Sequence, residues 1–176
     1  MKTKKIVLGG FLVGLGVLIP MIFHMVNMGG PVFLPMHIPV LLAGFLLGGE
    51  YGFLVGLITP IISSIITGMP PMIPVLPIMV VELSLYGLIS GILFNRVKLN
   101  TLMSLILSMI CGRAGGFLTV YIMANALGFK KLNPMIWIKT GLVTGLPGIV
   151  IQLIFIPTLL HILSKSLKKD SVYSLK

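Results

Sequence analysis

Charged residues are too scarce in this chain to cover a surface that faces water. Asp, Glu, Lys and Arg make up 9% of its 176 residues, and 57% of the residues are hydrophobic. A soluble domain carries about 25% charged residues. The sequence therefore predicts that lipid surrounds most of the chain. A charge inside an apolar segment is costly in lipid, so Glu82 and Arg113, which lie in such segments, are expected to have a function.

Six apolar segments can be drawn along the sequence, at residues 6–25, 37–48, 52–66, 73–93, 102–126 and 135–163. About 20 apolar residues span a bilayer as a helix. We therefore predict an all-α integral membrane bundle of six transmembrane helices, in which residues 1–176 form a single domain. The second and third segments are too short to span as straight, separate helices. Together with Pro35, Pro39 and Pro60 they indicate broken or tilted helices around a cavity.

Basic residues predict the orientation of this bundle. Most of them flank the segments at the side where both ends of the chain fall, namely Lys2, Lys4, Lys5, Arg96, Lys98, Lys165, Lys168, Lys169 and Lys176. Cytoplasmic loops carry such an excess of Lys and Arg, so both termini are expected to be cytoplasmic. This placement also explains the net charge of +10 without nucleic-acid binding, which we do not expect.

Two of the three outward loops have no charged residue. Residues 26–36 and 67–72 are rich in Gly, Pro and Met, and residues 127–134 form the third loop. A water-facing loop without charge is unusual, so the first two loops are interpreted as lids over an apolar pocket. The lid residues are Asn27, Met28, Met36, Thr67 and Met69. Loops lying in the headgroup layer are the alternative.

Four stretches carry a resemblance to a known family. They are residues 33–48 (FLPMHIPVLLAGFLLG), 51–60 (YGFLVGLITP), 63–71 (SSIITGMPP) and 82–91 (ELSLYGLISG). The chain resembles the substrate-binding (S) components of energy-coupling factor (ECF) transporters over most of its length.

The resemblance implies a subunit that binds a vitamin or similar micronutrient at its outer side and releases it inward. Such a subunit lies in the plasma membrane of a bacterium. It docks on a transmembrane coupling subunit driven by two ATP-binding cassette ATPases, and it hydrolyses nothing itself. Small residues on the first helix contact the coupling subunit in this family. Gly10 and Gly14 lie on one helix face and suit that role, although intramolecular packing explains the pattern equally well.

Glu82 and Arg113 lie near the middle of their segments and have opposite charge, so they are expected to pair. The pair is either structural or part of a binding site in which Arg113 holds an anionic group. Arg113, Tyr121 and Asn125 are expected to share a helix face that rises toward the outer mouth. The candidate substrate-binding residues are Glu82, Arg113, Tyr121, Asn125, Lys139 and His37. They suit an organic acid with an apolar part, such as pantothenate.

Other interpretations remain open at this point. Lys139 can snorkel to the headgroups instead, and Trp137 is interpreted as an interfacial anchor. His24, Asn27 and His37, with methionines nearby, favour a haem, corrinoid or metal-binding subunit as the alternative. A structural or assembly protein and a channel are alternatives from other classes. We expect no enzyme, no cofactor and no resident metal, because no nucleophile–base spacing, phosphate loop or carboxylate pair is present.

Overall fold

The computed structural model describes residues 2–25, 30–126, 128–129 and 132–173, and no strand occurs in that part of the chain. The helices are α1 (Lys2–Met25), α2 (Gly30–Phe33), α3 (His37–Leu47), α4 (Gly49–Thr67), α5 (Val75–Gly91), α6 (Thr101–Asn125) and α7 (Pro134–Tyr173). A π-helical turn, Ile92–Arg96, extends α5. The predicted all-α class is confirmed. Residues 26–36, predicted to be a loop, contain the short helix α2 in their described part.

Five helices are long and apolar enough to cross a membrane. They are α1, α4, α5 with its π-helical turn, α6, and α7 as far as Leu163. The sixth apolar helix, α3, is shorter than a span. The described residues thus form a helical membrane bundle, while the cytoplasmic placement of both termini stays a prediction.

The short helix α3 lies at the centre of the bundle. It packs against α1, α4 and α5, and its residues Val40, Leu41 and Ala43 have no exposed surface. Gly48, with φ +99°, separates α3 from α4, a backbone conformation that favours glycine. Residues 49–51, which separate the second and third predicted segments, therefore belong to α4, which begins at Gly49. With 19 residues α4 is long enough to span, so only the second predicted segment is short.

Polar contacts join the helix ends at the side predicted to be cytoplasmic. Lys5 Nζ donates to the Leu47 carbonyl at 2.8 Å, which satisfies an orphan carbonyl at the end of α3. Asn95 Nδ2 donates to the carbonyls of Gly44 and Phe45 at 3.2 and 3.1 Å. These bonds fix the end of α3 to α1 and to the π-helical turn.

Glycines let α3, α4 and α5 touch backbone to backbone. A Cβ atom added to Gly52 would overlap the Gly87 carbonyl, and one added to Gly87 would overlap the Gly52 carbonyl. A Cβ on Gly44 would meet the same Gly87 carbonyl. Lipid provides no hydrophobic drive for helix association, so this close van der Waals packing is a main source of it.

We expect Gly52→Ala to destabilise the protein, because backbone atoms cannot move aside as a flexible side chain can. Overpacking costs about 1–3 kcal/mol even against side chains. Gly10→Ala is the matched control, since its Cβ would meet nothing within 4 Å. Thermal unfolding in detergent should show a lower midpoint for Gly52→Ala alone. Equal midpoints for both variants would contradict the close contact.

Candidate functional site

A buried cluster of polar side chains surrounds the Glu82 carboxylate. Its Oε1 atom accepts a hydrogen bond from the Tyr86 hydroxyl at 3.0 Å and lies 3.1 Å from Arg113 Nη1. His37 Nε2 lies 3.8 Å from the same oxygen, and the His37 and Tyr86 rings are 5.2 Å apart. Glu82 and Tyr86 are one turn apart on α5, while His37 opens α3 and Arg113 comes from α6. The cluster thus ties three helices together through one carboxylate oxygen.

Small residues on α6 and α7 provide the space that the cluster occupies. A Cβ on Gly116 would lie 3.1 Å from Glu82 Oε2, and one on Gly112 would overlap the Tyr86 ring. On α7, a Cβ on Gly141 would lie 3.2 Å from Arg113 Nη1, and one on Gly145 would lie 3.3 Å from Arg113 Nη2. The guanidinium therefore rests against two glycines of α7.

Only part of the Arg113 guanidinium is used by protein groups. Its Nε and Nη2 atoms are buried and have no hydrogen-bond partner among the described residues. His37 Nδ1 is also buried without a hydrogen-bond partner among the described residues. A buried donor left unpaired costs about 1–3 kcal/mol, more for a charged group. The cluster is thus unsatisfied on the side of Arg113 that Glu82 does not reach.

A cavity of about 550 Å³ opens beside the cluster. Its volume lies in the range of about 300–1,000 Å³ that is usual for small-molecule sites. Its surface is mostly apolar, and Glu82, Arg113 and His37 all contribute to it. The remaining lining residues are Pro20, His24, Leu34, Pro35, Met36, Met69, Pro70, Pro71, Val75, Met79, Leu132, Asn133, Ile136, Trp137, Thr140, Gly141 and Thr144.

The loop between α4 and α5 forms one wall of the cavity and is held by hydroxyl groups at the end of α4. Ser63 Oγ donates to the Met69 carbonyl and Ser64 Oγ to the Pro70 carbonyl, both at 2.7 Å. Thr67 Oγ1 donates to the Ser63 carbonyl at 2.8 Å. The predicted lid residue Met69 therefore lines the cavity, whereas Thr67 is not one of the lining residues and instead stabilises the loop.

Leu34, between α2 and α3, lies close to the unpaired side of Arg113. Its φ of +49° is uncommon for a residue other than glycine, and its carbonyl accepts bonds from His37 N at 3.1 Å and Gln152 Nε2 at 3.5 Å. A Cβ on Gly145 would lie 3.1 Å from Leu34 Cδ1, beside Arg113 Nη2. The Leu34 side chain and the unpaired nitrogen are thus neighbours.

The structure brings together some predicted site residues and not others. Glu82, Arg113 and His37 meet, and Met36 lines the cavity with them. The predicted lid residues Asn27 and Met28 lie outside the described residues. Gly10 and Gly14 face open space, since a Cβ on either would meet nothing within 4 Å.

Tyr121, Asn125 and Lys139 do not line the cavity and are exposed on the bundle. At about 100° per residue, a step of eight rotates Tyr121 by about 80° from Arg113, and a step of twelve rotates Asn125 by about 120°. The face of Arg113 instead continues through Gly116 and the fully buried Val120. Arg113, Tyr121 and Asn125 therefore do not share one face of α6, contrary to the expectation from the sequence.

Sequence reasoning missed most of the α7 wall. Its lining residues Asn133, Ile136, Trp137, Thr140, Gly141 and Thr144 follow the i, i+3, i+4 spacing of one helix face, and Lys139 falls off that face. This spacing was visible in the sequence, but an apolar helix in lipid gives no contrast between its faces. Trp137, interpreted as an interfacial anchor, lines the cavity and packs on the cluster of Ile78, Val120 and Met123.

Metal ligands are sparse in the cavity. His24 and His37 both line it, but no three His, Cys, Asp or Glu side chains of the described ranges group as they would to hold a metal ion.

Comparison with known proteins gave one match. A family model described as "ECF transporter, substrate-specific component" matches residues 4–160. No curated protein and no solved structure matches the chain.

We expect Glu82→Gln to lower the free energy of unfolding by about 3–5 kcal/mol, because it leaves the buried Arg113 charge uncompensated. The double variant Glu82→Gln/Arg113→Gln should recover part of this loss, since it removes both charges. Glu50→Gln is the control, because its 3.0 Å pair with Arg96 is exposed and contributes about 0–1 kcal/mol. The measurement is thermal unfolding in detergent. A double variant that is less stable than Glu82→Gln would argue against the pairing.

Proposed function

This chain belongs to the family of ECF transporter substrate-specific components, and we propose that it captures a micronutrient carrying a carboxylate group and an apolar body. As a member of this family, the chain is a transport subunit and not an enzyme. It is a multi-pass protein of the plasma membrane. Family membership also implies a small-molecule substrate and an ECF module with ATPases. We propose below the chemical class of that substrate and the residues that bind it.

The unpaired Nε and Nη2 atoms of Arg113, next to a 550 Å³ cavity, carry the proposal. A guanidinium edge matches the geometry of a carboxylate or a phosphate, and such charge-assisted bonds are among the strongest hydrogen bonds. Glu82 then has a positioning role, because it holds the opposite side of the guanidinium through Nη1. A ligand oxygen reaches Nη2 once the Leu34 side chain moves aside.

The apolar surface of the cavity favours an amphipathic acid over a highly charged ligand. Met79, Ile136 and Trp137 offer flexible and aromatic contact area beside the single guanidinium. Pantothenate, which has one carboxylate and a branched dimethyl carbon chain that also carries an amide and two hydroxyls, is our leading candidate. The loops at residues 26–36 and 67–72 act as the lids in this proposal, on the side opposite the cytoplasm.

A haem or corrinoid is the second candidate ligand. Because His24 and His37 both line the cavity, two imidazoles are available to a metal in a macrocycle. Among the described residues, neither imidazole belongs to a group of three or more potential metal ligands. We therefore prefer an organic acid as the ligand.

The substrate class can be tested with pairs of ligands that differ only in charge. We expect one of pantothenate, biotin and nicotinate to raise the thermal midpoint of the purified protein, and its neutral partner (pantothenol, biotin amide or nicotinamide) to bind at least about 30-fold more weakly. That ratio corresponds to about 2 kcal/mol for one charge-assisted contact. Haem belongs in the same panel.

Variants then connect the charge preference to one residue. Arg113→Gln should abolish the difference between acid and neutral ligand, whereas Arg96→Gln, which removes an exposed arginine paired with Glu50, should preserve it. Stabilisation by haem alone, or equal binding of an acid and its neutral partner, would contradict the proposal. The comparison of ligands on the wild-type protein does not depend on the folding of any variant.

We propose Gly10 and Gly14 as the contact with the coupling subunit, because both glycines are on an open stretch of α1. Gly10→Leu and Gly14→Leu should each reduce co-purification with the coupling subunit. Ala114→Leu, a change only one carbon atom smaller at an exposed position of α6, should not. An intact complex with both glycine variants would show that this face packs elsewhere.

A further inference from the structure

Two threonines on α7 do not donate their hydroxyls to the preceding helical turn, whereas four other helical threonines do. The hydroxyls of Thr59, Thr67, Thr119 and Thr158 each donate to the backbone carbonyl four residues earlier, at 2.6–2.9 Å. Thr140 and Thr144 line the cavity, and within the described chain their hydroxyls make no hydrogen bond. In a membrane helix the bond to the preceding turn is the usual way to satisfy a hydroxyl. Thr140 and Thr144 therefore keep their donors available to the cavity.

The two threonines flank the place where Arg113 rests. Thr140, Gly141, Thr144 and Gly145 form one patch two turns long, because residues three and four apart are neighbours on a helix. The glycines of this patch lie against Nη1 and Nη2 of the guanidinium, at 3.2 and 3.3 Å from the positions of their added Cβ atoms. Thr140 and Thr144 thus neighbour the two glycines against which the guanidinium rests, and both line the cavity.

We propose that Thr140 and Thr144 complete a carboxylate subsite with Arg113, each donating a hydroxyl hydrogen bond to the bound acid. This inference rests on the proposed function and names two specificity-determining residues for it. A carboxylate accepts about four hydrogen bonds, more than the free edge of one guanidinium supplies. Hydroxyl donors supply the remaining hydrogen bonds, because one side of the guanidinium is already held by Glu82.

The same geometry sets the shape of the ligand. Thr144 lies seven residues beyond Trp137 along α7, about 10 Å at 1.5 Å per residue. The carboxylate end of the ligand then lies at Thr144 and Arg113, and the apolar body extends toward Trp137. The preferred ligand is an acid whose carboxylate and apolar body span about 10 Å.

The test uses isosteric removal of the hydroxyls. The probe is whichever of pantothenate, biotin and nicotinate stabilises the wild-type protein most, compared with its neutral partner by calorimetry. Thr144→Val and Thr140→Val should each weaken binding of the acid roughly tenfold or more, as expected for a lost bond to a charged group. Binding of the neutral partner should change less than threefold. Thr144→Ser should restore the affinity, and Thr158→Val, on the same helix with a backbone-bonded hydroxyl, should leave it unchanged.

The other outcomes separate this inference from the proposed function. If Arg113→Gln weakens acid binding while both valine variants stay within twofold of wild type, the threonine subsite is wrong and the proposed function stands. Equal losses for the acid and its neutral partner would show that the threonines only shape the cavity, which also overturns the subsite. If no acid in the panel binds, the proposed function and the subsite are both overturned.

Discussion

The pair formed by Glu82 and Arg113 is the interaction on which the rest of this structure depends. Either charge alone inside the bilayer would cost at least a few kcal/mol. Their 3.1 Å contact pairs the two opposite charges and joins α5 to α6, and His37 brings α3 to the same carboxylate oxygen. The guanidinium is then pressed against Gly141 and Gly145 of α7. One ion pair thus fixes the relative positions of the helices that line the cavity.

Glycine residues make this arrangement possible in two regions of the bundle. At the predicted cytoplasmic side, Gly44, Gly52 and Gly87 let α3, α4 and α5 approach backbone to backbone and form a rigid base. Beside the cavity, Gly112 and Gly116 accept the Tyr86 ring and the Glu82 carboxylate. In water such a high glycine content would weaken helices, but in lipid it permits the packing that holds them together. The base holds the cluster in place beside the cavity.

Much of the fold and part of the site could be predicted from the sequence. Hydrophobic runs predicted the helix positions to within a few residues, because lipid demands long apolar helices, except that α7 continues to Tyr173, beyond the predicted end at residue 163. The depth of two opposite charges predicted the Glu82–Arg113 pair. The sequence placed the break between α3 and α4 just after Gly48, at residues 49–51, which instead begin α4. The rotation of Tyr121 and Asn125 away from Arg113 was not predicted, since it depends on angles around a helix. Thr140 and Thr144 gave no signal because a threonine in an apolar helix is usually bonded to its own backbone. Their free hydroxyls are visible only once the α7 wall is placed beside Arg113.

The small molecule that the purified protein retains would show whether the substrate is an acid with an apolar body. The wild-type protein would be purified in detergent from cells grown in rich medium, denatured, and its released ligand identified by mass spectrometry. We expect one stoichiometric organic acid with a single carboxylate, in which the carboxylate and the apolar body together span about 10 Å. A haem, a corrinoid, a cation or a ligand without a carboxylate would contradict this expectation.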